Sequence, residues 1–480
     1  MRTPTSALRT ATLIAVLLLP LATAVSQTVA IEGGTIIPVS GEVIEGGTIL
    51  IVDGKITAVG KEVELPFDAT VIDATGKTLF PGMVLAHTNS GLDVTNENVA
   101  VAPFVDVYDS MDPSSLSFEE ALRSGITTLN IHQGNNTVIG GMGRAVRPIG
   151  LMVEEMTIRA ATGLKLSMSP KSGYDRMVQR AEMREAFREL QDYLDREGEK
   201  KYEEKLEEDE KKIAVMPDEA RKLGRDMLSD DDLDDKHRNL YRLTKGRLDA
   251  IFYCGRAMDV SAAIDVAREQ GFLERTSFLL GSETFKAVRT LKASGRPVIL
   301  SSALTYTETD PLTGEETETF VPRVFAEAGV PFALQTSRGS SFGERFLPYQ
   351  AARCVREGID RQVALEAITL VPARIAGLAD RVGSLEPGKD GNVLVLSGDP
   401  LDMSTMVEKV IINGREAWDI TKDVHLKSLT EGRHRDMGDD DAKKGTGAED
   451  TDAGEKEGGG EAKEGEAGSE AAAEKKDGAR

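Results

Sequence analysis

Ile126-Thr127-Thr128-Leu129-Asn130-Ile131 decides the reading of the middle of this chain. It is a β-branched run, and Asp249-Ala250-Ile251-Phe252-Tyr253, Pro297-Val298-Ile299-Leu300 and Pro331-Phe332-Ala333-Leu334 repeat its character. Between such runs lie segments with apolar residues at helical spacing, among them Ala262-Ala263-Ile264-Asp265-Val266-Ala267 and Val363-Ala364-Leu365-Glu366-Ala367-Ile368. Strands alternating with helices predict repeated βα units around a parallel sheet, and the natural closed form of such a sheet is a barrel.

Moving outward, the texture changes on both sides. Thr48-Ile49-Leu50-Ile51-Val52 and Ile56-Thr57-Ala58-Val59 flank the turn dipeptide Asp53-Gly54. Near the other end, Gly391-Asn392-Val393-Leu394-Val395-Leu396 precedes Lys409-Val410-Ile411-Ile412, closed by Asn413-Gly414. Both patterns are β-hairpin signals. The expected α/β architecture is therefore a barrel over residues 81–381 with a small β-sandwich built from residues 28–80 and 382–420. A charged stretch, 183–247, interrupts the barrel; its Glu-Lys mixing around 203–212 favours a solvated helix, with partner binding as the alternative role.

Arg2 and Arg9 precede an apolar run from Ala11 to Leu21 that leads into Ala22-Thr23-Ala24, the pattern of a signal peptide over residues 1–24. The expectation is a secreted or periplasmic protein with no membrane span after cleavage. Residues 432–480 are almost wholly Gly, Ala, Glu, Lys, Asp and Ser, too poor in apolar surface to offset ordering entropy, and are expected to form a disordered acidic tail.

With 480 residues, 40% of them hydrophobic, the chain has material for a large core. Acidic residues exceed basic ones by 80 − 58 = 22, which argues against nucleic acid as a partner. Cys254 and Cys354 cannot make a disulfide framework. Gly140-Gly141 with Gly143 lacks the Gly-Lys-Ser/Thr of a phosphate loop, and Gly339-Ser340-Ser341-Phe342-Gly343 has the letters of a nucleophile elbow without a suitable downstream histidine. Only five histidines are present.

Leu79-Phe80-Pro81-Gly82-Met83-Val84-Leu85-Ala86-His87-Thr88-Asn89 resembles the start of the barrel in the amidohydrolase superfamily, especially its imidazolonepropionase-like branch. Gly125-Ile126-Thr127-Thr128, Ile139-Gly140-Gly141, Leu164-Lys165 through Pro170-Lys171, Ala367-Ile368-Thr369-Leu370-Val371-Pro372-Ala373 and Gly383-Ser384-Leu385-Glu386-Pro387-Gly388-Lys389-Asp390 extend the resemblance over most of residues 29–420. It implies a (β/α)8 barrel of the TIM type and metal-dependent hydrolysis of non-peptide C–N bonds, such as those of cyclic amides. In that family a divalent metal such as zinc is held by His-x-His on strand 1 and by histidines of strands 5 and 6. An aspartate after strand 8 moves the proton, and many members add a strand-4 lysine.

The same resemblance places Asn89 where the second histidine of the first motif stands, no histidine around Tyr253, Cys254, Gly255 and Arg256 or around Gly281, and Ser337, followed by Arg338, at the aspartate. His425 and His434 sit at the tail and His237 in the insertion, so only His87 and His132 are left to the barrel. Amide oxygen is a far weaker ligand for transition metals than imidazole. The expectation is thus a pseudoenzyme without a firm catalytic residue or cofactor, binding a small molecule or a protein at a mouth lined by Tyr253, Gly255, Arg256, Gly281, Ser337 and Arg338. One alternative is an active hydrolase with a reduced metal site on His87, Asn89, His132 and Lys165; another is a cell-envelope interaction scaffold. Cys254 is expected to be a packed cysteine.

Overall fold

The computed structural model describes residues 27–96, 98–210, 215–336 and 343–430. The expected signal peptide and acidic tail lie outside the described residues, as do Ser337, Arg338 and Ser341.

Both flanking β-rich segments enter one sheet. Strands β1 (Thr28–Ile36), β2 (Ile44–Val52), β3 (Lys55–Gly60), β4 (Thr70–Asp73) and β5 (Thr78–Pro81) come from one side of the chain. Strands β16 (Val393–Leu396), β17 (Val407–Ile412) and β18 (Arg415–Asp419) come from the other. The join is the antiparallel pairing of β5 with β16, in which Phe80 faces Leu394. Ile31, Ile49, Ile51, Leu79, Val393 and Ile411 share one core, so neither segment can bury its apolar face without the other. The hairpin signals hold: Asp53 and Gly54 take φ of 50° and 80°, and Asn413 and Gly414 50° and 72°. Two consecutive left-handed residues give the turn whose twist matches the strands it joins.

A second sheet has the order β15-β12-β11-β10-β9-β8-β7-β6. Its members are β6 (Met83–Thr88), β7 (Ile126–Ile131), β8 (Ile139–Val146), β9 (Thr157–Ser167), β10 (Ala250–Cys254), β11 (Thr276–Leu280), β12 (Val298–Ile299) and β15 (Phe332–Ala333). The missing numbers, β13 (Thr305–Thr309) and β14 (Glu316–Phe320), form a separate hairpin. The expectation of a wholly parallel sheet needs one correction. β8 runs antiparallel to both β7 and β9. The link from β7 to β8, residues 132–138, is too short for the helical crossover that a parallel neighbour requires. The two end strands of this sheet are tied to the same dipeptide: the Val84 N–H donates to Ile368 O at 2.9 Å, and the Leu334 N–H to Ala367 O at 2.9 Å.

Ala86, Ile251, Leu279, Ile299 and Ala333, one from each of five strands, pack with Val371 and Ile375 of the helix Leu370–Ile375. The alternate residues Leu85, Phe252, Phe278 and Val298 pack in the larger surrounding core. This period of two puts the two sets on opposite faces of the sheet, and Tyr253 follows Ile251 on the same face.

The charged segment between β9 and β10 folds as helices. The longest, Arg176–Glu208, begins ahead of the charge-rich stretch because Asp175 caps it, accepting the Val178 N–H at 2.8 Å. Ion pairs one turn apart occur, such as Lys205 with Asp209 at 3.4 Å. The helix is not solvated all round, however: Met183, Phe187, Leu190 and Leu194 are buried, and the Phe187 ring stacks on Phe272 at 5.9 Å.

Candidate active site

Between Leu85, opposite Leu129, and Thr88, opposite Ile131, β6 carries one residue more than β7. This bulge falls at Ala86 and His87 and re-aims the side chains that follow it. His132 comes directly after β7, its N–H bonded to Thr88 O at 2.9 Å. Lys165 lies on β9 opposite Ile251 of β10. All three side chains are buried.

Lys165 Nζ is 2.8 Å from His87 Nε2. The two nitrogens are at hydrogen-bond distance, and which of them donates is set by the imidazole tautomer. The Tyr253 ring centroid is 5.9 Å from the same Nζ, within reach of a cation–π contact. The His87 and His132 rings stack, with centroids 5.7 Å apart and planes 11° from parallel. Thr162 Oγ1 is 3.4 Å from His132 Nε2. Burial, with the charge of Lys165 adding to it, pushes His132 from 6.5 down to about 3, so its ring is neutral at ordinary pH.

The structure therefore brings together His87, His132, Lys165 and Tyr253. Asn89 is half-buried one residue beyond β6. Gly255 and Gly281 close the ends of β10 and β11. A Cβ on Gly281 would sit 2.2 Å from Gly255 O, and one on Gly255 would sit 2.6 Å from Ser169 Oγ. Arg256 is exposed, and its N–H bonds Asp259 Oδ2 at 3.1 Å at the start of the helix Ala257–Glu269.

Sequence reasoning weighed Gly143 only as part of a phosphate loop and passed over Thr162, Ser169 and Asp259. A Cβ on Gly143 would lie 2.1 Å from the His132 ring, so only glycine lets the imidazole lie there. Asp259, fully buried, accepts from Ser169 Oγ at 2.8 Å and pairs with Arg176. It ties the end of β9 and the first turn of the inserted helix to the β10 loop. The only signal for it in sequence is a carboxylate in a helix's first turn, and such residues are common there.

Among the described residues, those brought together here do not make up the metal set that the resemblance implies. No group of three or more His, Cys, Asp or Glu side chains that could hold an ion occurs among the described residues. The two imidazoles stack on each other, His87 Nε2 lies at hydrogen-bond distance from Lys165, and Gly281 has no room for a side chain. Cys254 and Cys354 are both buried and free, as expected of packed thiols. Burial raises Cys254 well above the ordinary thiol value and pushes Cys354 up to about 12, the reverse of what a nucleophile needs.

The sequence profile of the Amidohydrolase family matches residues 332–417. An amidohydrolase from Thermotoga maritima MSB8 is similar at 28% identity and a TM-score of 0.68, over 82% of this chain and 100% of that one. A second amidohydrolase structure, at 15% identity and a TM-score of 0.50 over 82% and 99%, shares the fold. No curated protein matches the sequence. A mixed α/β chain with these similarities resembles amidohydrolases over most of its length, with the family's sequence profile confined to its C-terminal part. Among the described residues no helix is long and apolar enough to cross a membrane.

Proposed function

We propose that this chain is a barrel of the imidazolonepropionase-like kind that has lost the metal chemistry of its superfamily and binds a small molecule at the strand ends around His87, His132, Lys165 and Tyr253. Closure of the second sheet into a barrel is supported by the shared tie of β6 and β15 to Ala367 and Ile368. A sandwich made by the first sheet, residues 28–80 with 382–420, is part of the same reading, as is export directed by Ala11 to Leu21 and Ala22-Thr23-Ala24.

The observation that carries the loss of catalysis is the contact between Lys165 Nζ and His87 Nε2. His87 Nε2 is engaged by the lysine at hydrogen-bond distance, and the second imidazole lies parallel to the first. What remains is a neutral His132, a lysine and an aromatic ring, groups that can orient a polar ring by hydrogen bonding and stacking. A reduced metal site on His87, Asn89, His132 and Lys165 requires those contacts to be dismantled.

The test is metal retention. Protein loaded with zinc or manganese and then dialysed should keep well below one equivalent by elemental analysis. A cyclic amide such as hydantoin should perturb the imidazole NMR signals without being consumed. One tightly held equivalent, together with turnover abolished by chelation, would overturn the reading.

A further inference from the structure

At the other end of the strands, a depression of about 470 Å³ is lined by Arg159, Asp249, Arg275, Arg296 and Arg374, with Glu274 at its edge. The sequence places these charges together: Arg159 is the third residue of β9, Asp249 and Arg275 immediately precede β10 and β11, and Arg296 lies two residues before β12. Arg374 comes from the helix Leu370–Ile375.

The two carboxylates are spread thin over four guanidiniums. Asp249 serves both Arg159, at 3.0 Å, and Arg275, at 3.2 Å. Glu274, 87% exposed, reaches Arg296 at 3.4 Å. Arg374 is exposed and makes no ion pair among the described residues. The local excess is two positive charges in a chain whose net charge is −22. Arg159 is held from behind by the Ala376 carbonyl at 2.8 Å, and Gly377 leaves the space it occupies, since a Cβ there would be 1.8 Å from Nη1. Arg296 is likewise held, its Nε donating to Thr276 O at 3.0 Å. Each guanidinium offers five donors, and the bonds just named use few of them. Fixed guanidiniums with donors to spare are what recognition of a tetrahedral oxyanion requires.

We propose that this depression binds a phosphate-type dianion. The volume exceeds that of phosphate alone, so the natural ligand is an organic phosphate, either a soluble ester or a lipid headgroup. This site is separate from the one around His87, and the two readings stand or fall independently.

The experiment is calorimetric titration of the full chain with inorganic phosphate at fixed ionic strength, with chloride as the control. Saturable binding is expected for phosphate only. Arg374→Gln should weaken it about fivefold and Glu274→Gln should tighten it by about the same factor, because each alters one nearby solvent-screened charge. Both side chains are exposed, so neither change threatens the fold. Co-sedimentation with phosphatidic acid vesicles that phosphate displaces assigns the site to a headgroup; phosphate binding without it assigns the site to a soluble ester. Phosphate heats equal to those of chloride, or an affinity untouched by both substitutions, would overturn the proposal.

Discussion

His132 shows how much one side chain's surroundings can ask of the rest of the protein. It is neutral in the folded state down to about pH 3, while in the unfolded chain it takes up a proton near 6.5. Between those values the unfolded state binds more protons, so stability must rise with pH across that window and fall as the solution is acidified through it. The expected size is on the order of a few kcal/mol between pH 6.5 and 4. Urea unfolding at a series of pH values measures it, and His132→Asn should flatten the slope. An unchanged slope in the variant would show that His132 is not the group responsible. The neighbours explain why sequence could not foresee this: the ring is closed in by Gly143 on β8 and Thr162 on β9, each brought there by strand pairing.

At the scale of elements, the inserted helices depend on a backbone approach. Gly198, inside the helix Arg176–Glu208, meets Gly224 of the helix Pro217–Arg225, where a Cβ on Gly224 would lie 1.7 Å from Gly198 O. Glycine costs a helix interior roughly 1 kcal/mol relative to alanine, so the close crossing has to repay it twice. Around it, Arg221 pairs with Glu199 at 3.0 Å and Arg225 with Asp195 at 2.7 Å. Gly224→Ala should therefore destabilise the insertion by about 1–3 kcal/mol despite its better helix propensity. Limited proteolysis is the direct check: cleavage between residues 208 and 235 should quicken while the strands stay protected. Equal or slower cleavage would show that the helices can separate at no cost. In sequence this segment reads as a solvated charged helix because charge dominates its composition; the buried stripe of Met183, Phe187, Leu190 and Leu194 emerges only against the partner helices.

For the molecule as a whole, Asp390 holds the two sheets' segments in register. Almost fully buried, it accepts from Lys55 of β3 at 2.5 Å and from Arg381 at 2.9 Å, with Arg147, just past β8, 3.7 Å away. Removing the charge leaves those cations without their shared partner, so Asp390→Asn should cost about 2–3 kcal/mol, read as a lower urea midpoint. No loss would mean that the apolar core of the first sheet suffices to hold the chain ends together. What the sequence determined by itself is whatever depends on local periodicity and composition: the hairpin turns at Asp53-Gly54 and Asn413-Gly414, the alternation of strands and helices, and the scarcity of histidine, five in the whole chain. Those features follow from dihedral preference and composition, which neighbours along the chain fix. Only the tertiary structure decided the reversed direction of β8, the meeting of Lys165 with His87, and the ring of arginines beneath the strands. Each of these joins residues far apart in sequence, and their contact is set by strand register and by which side chains find room, quantities that no local stretch of chain contains.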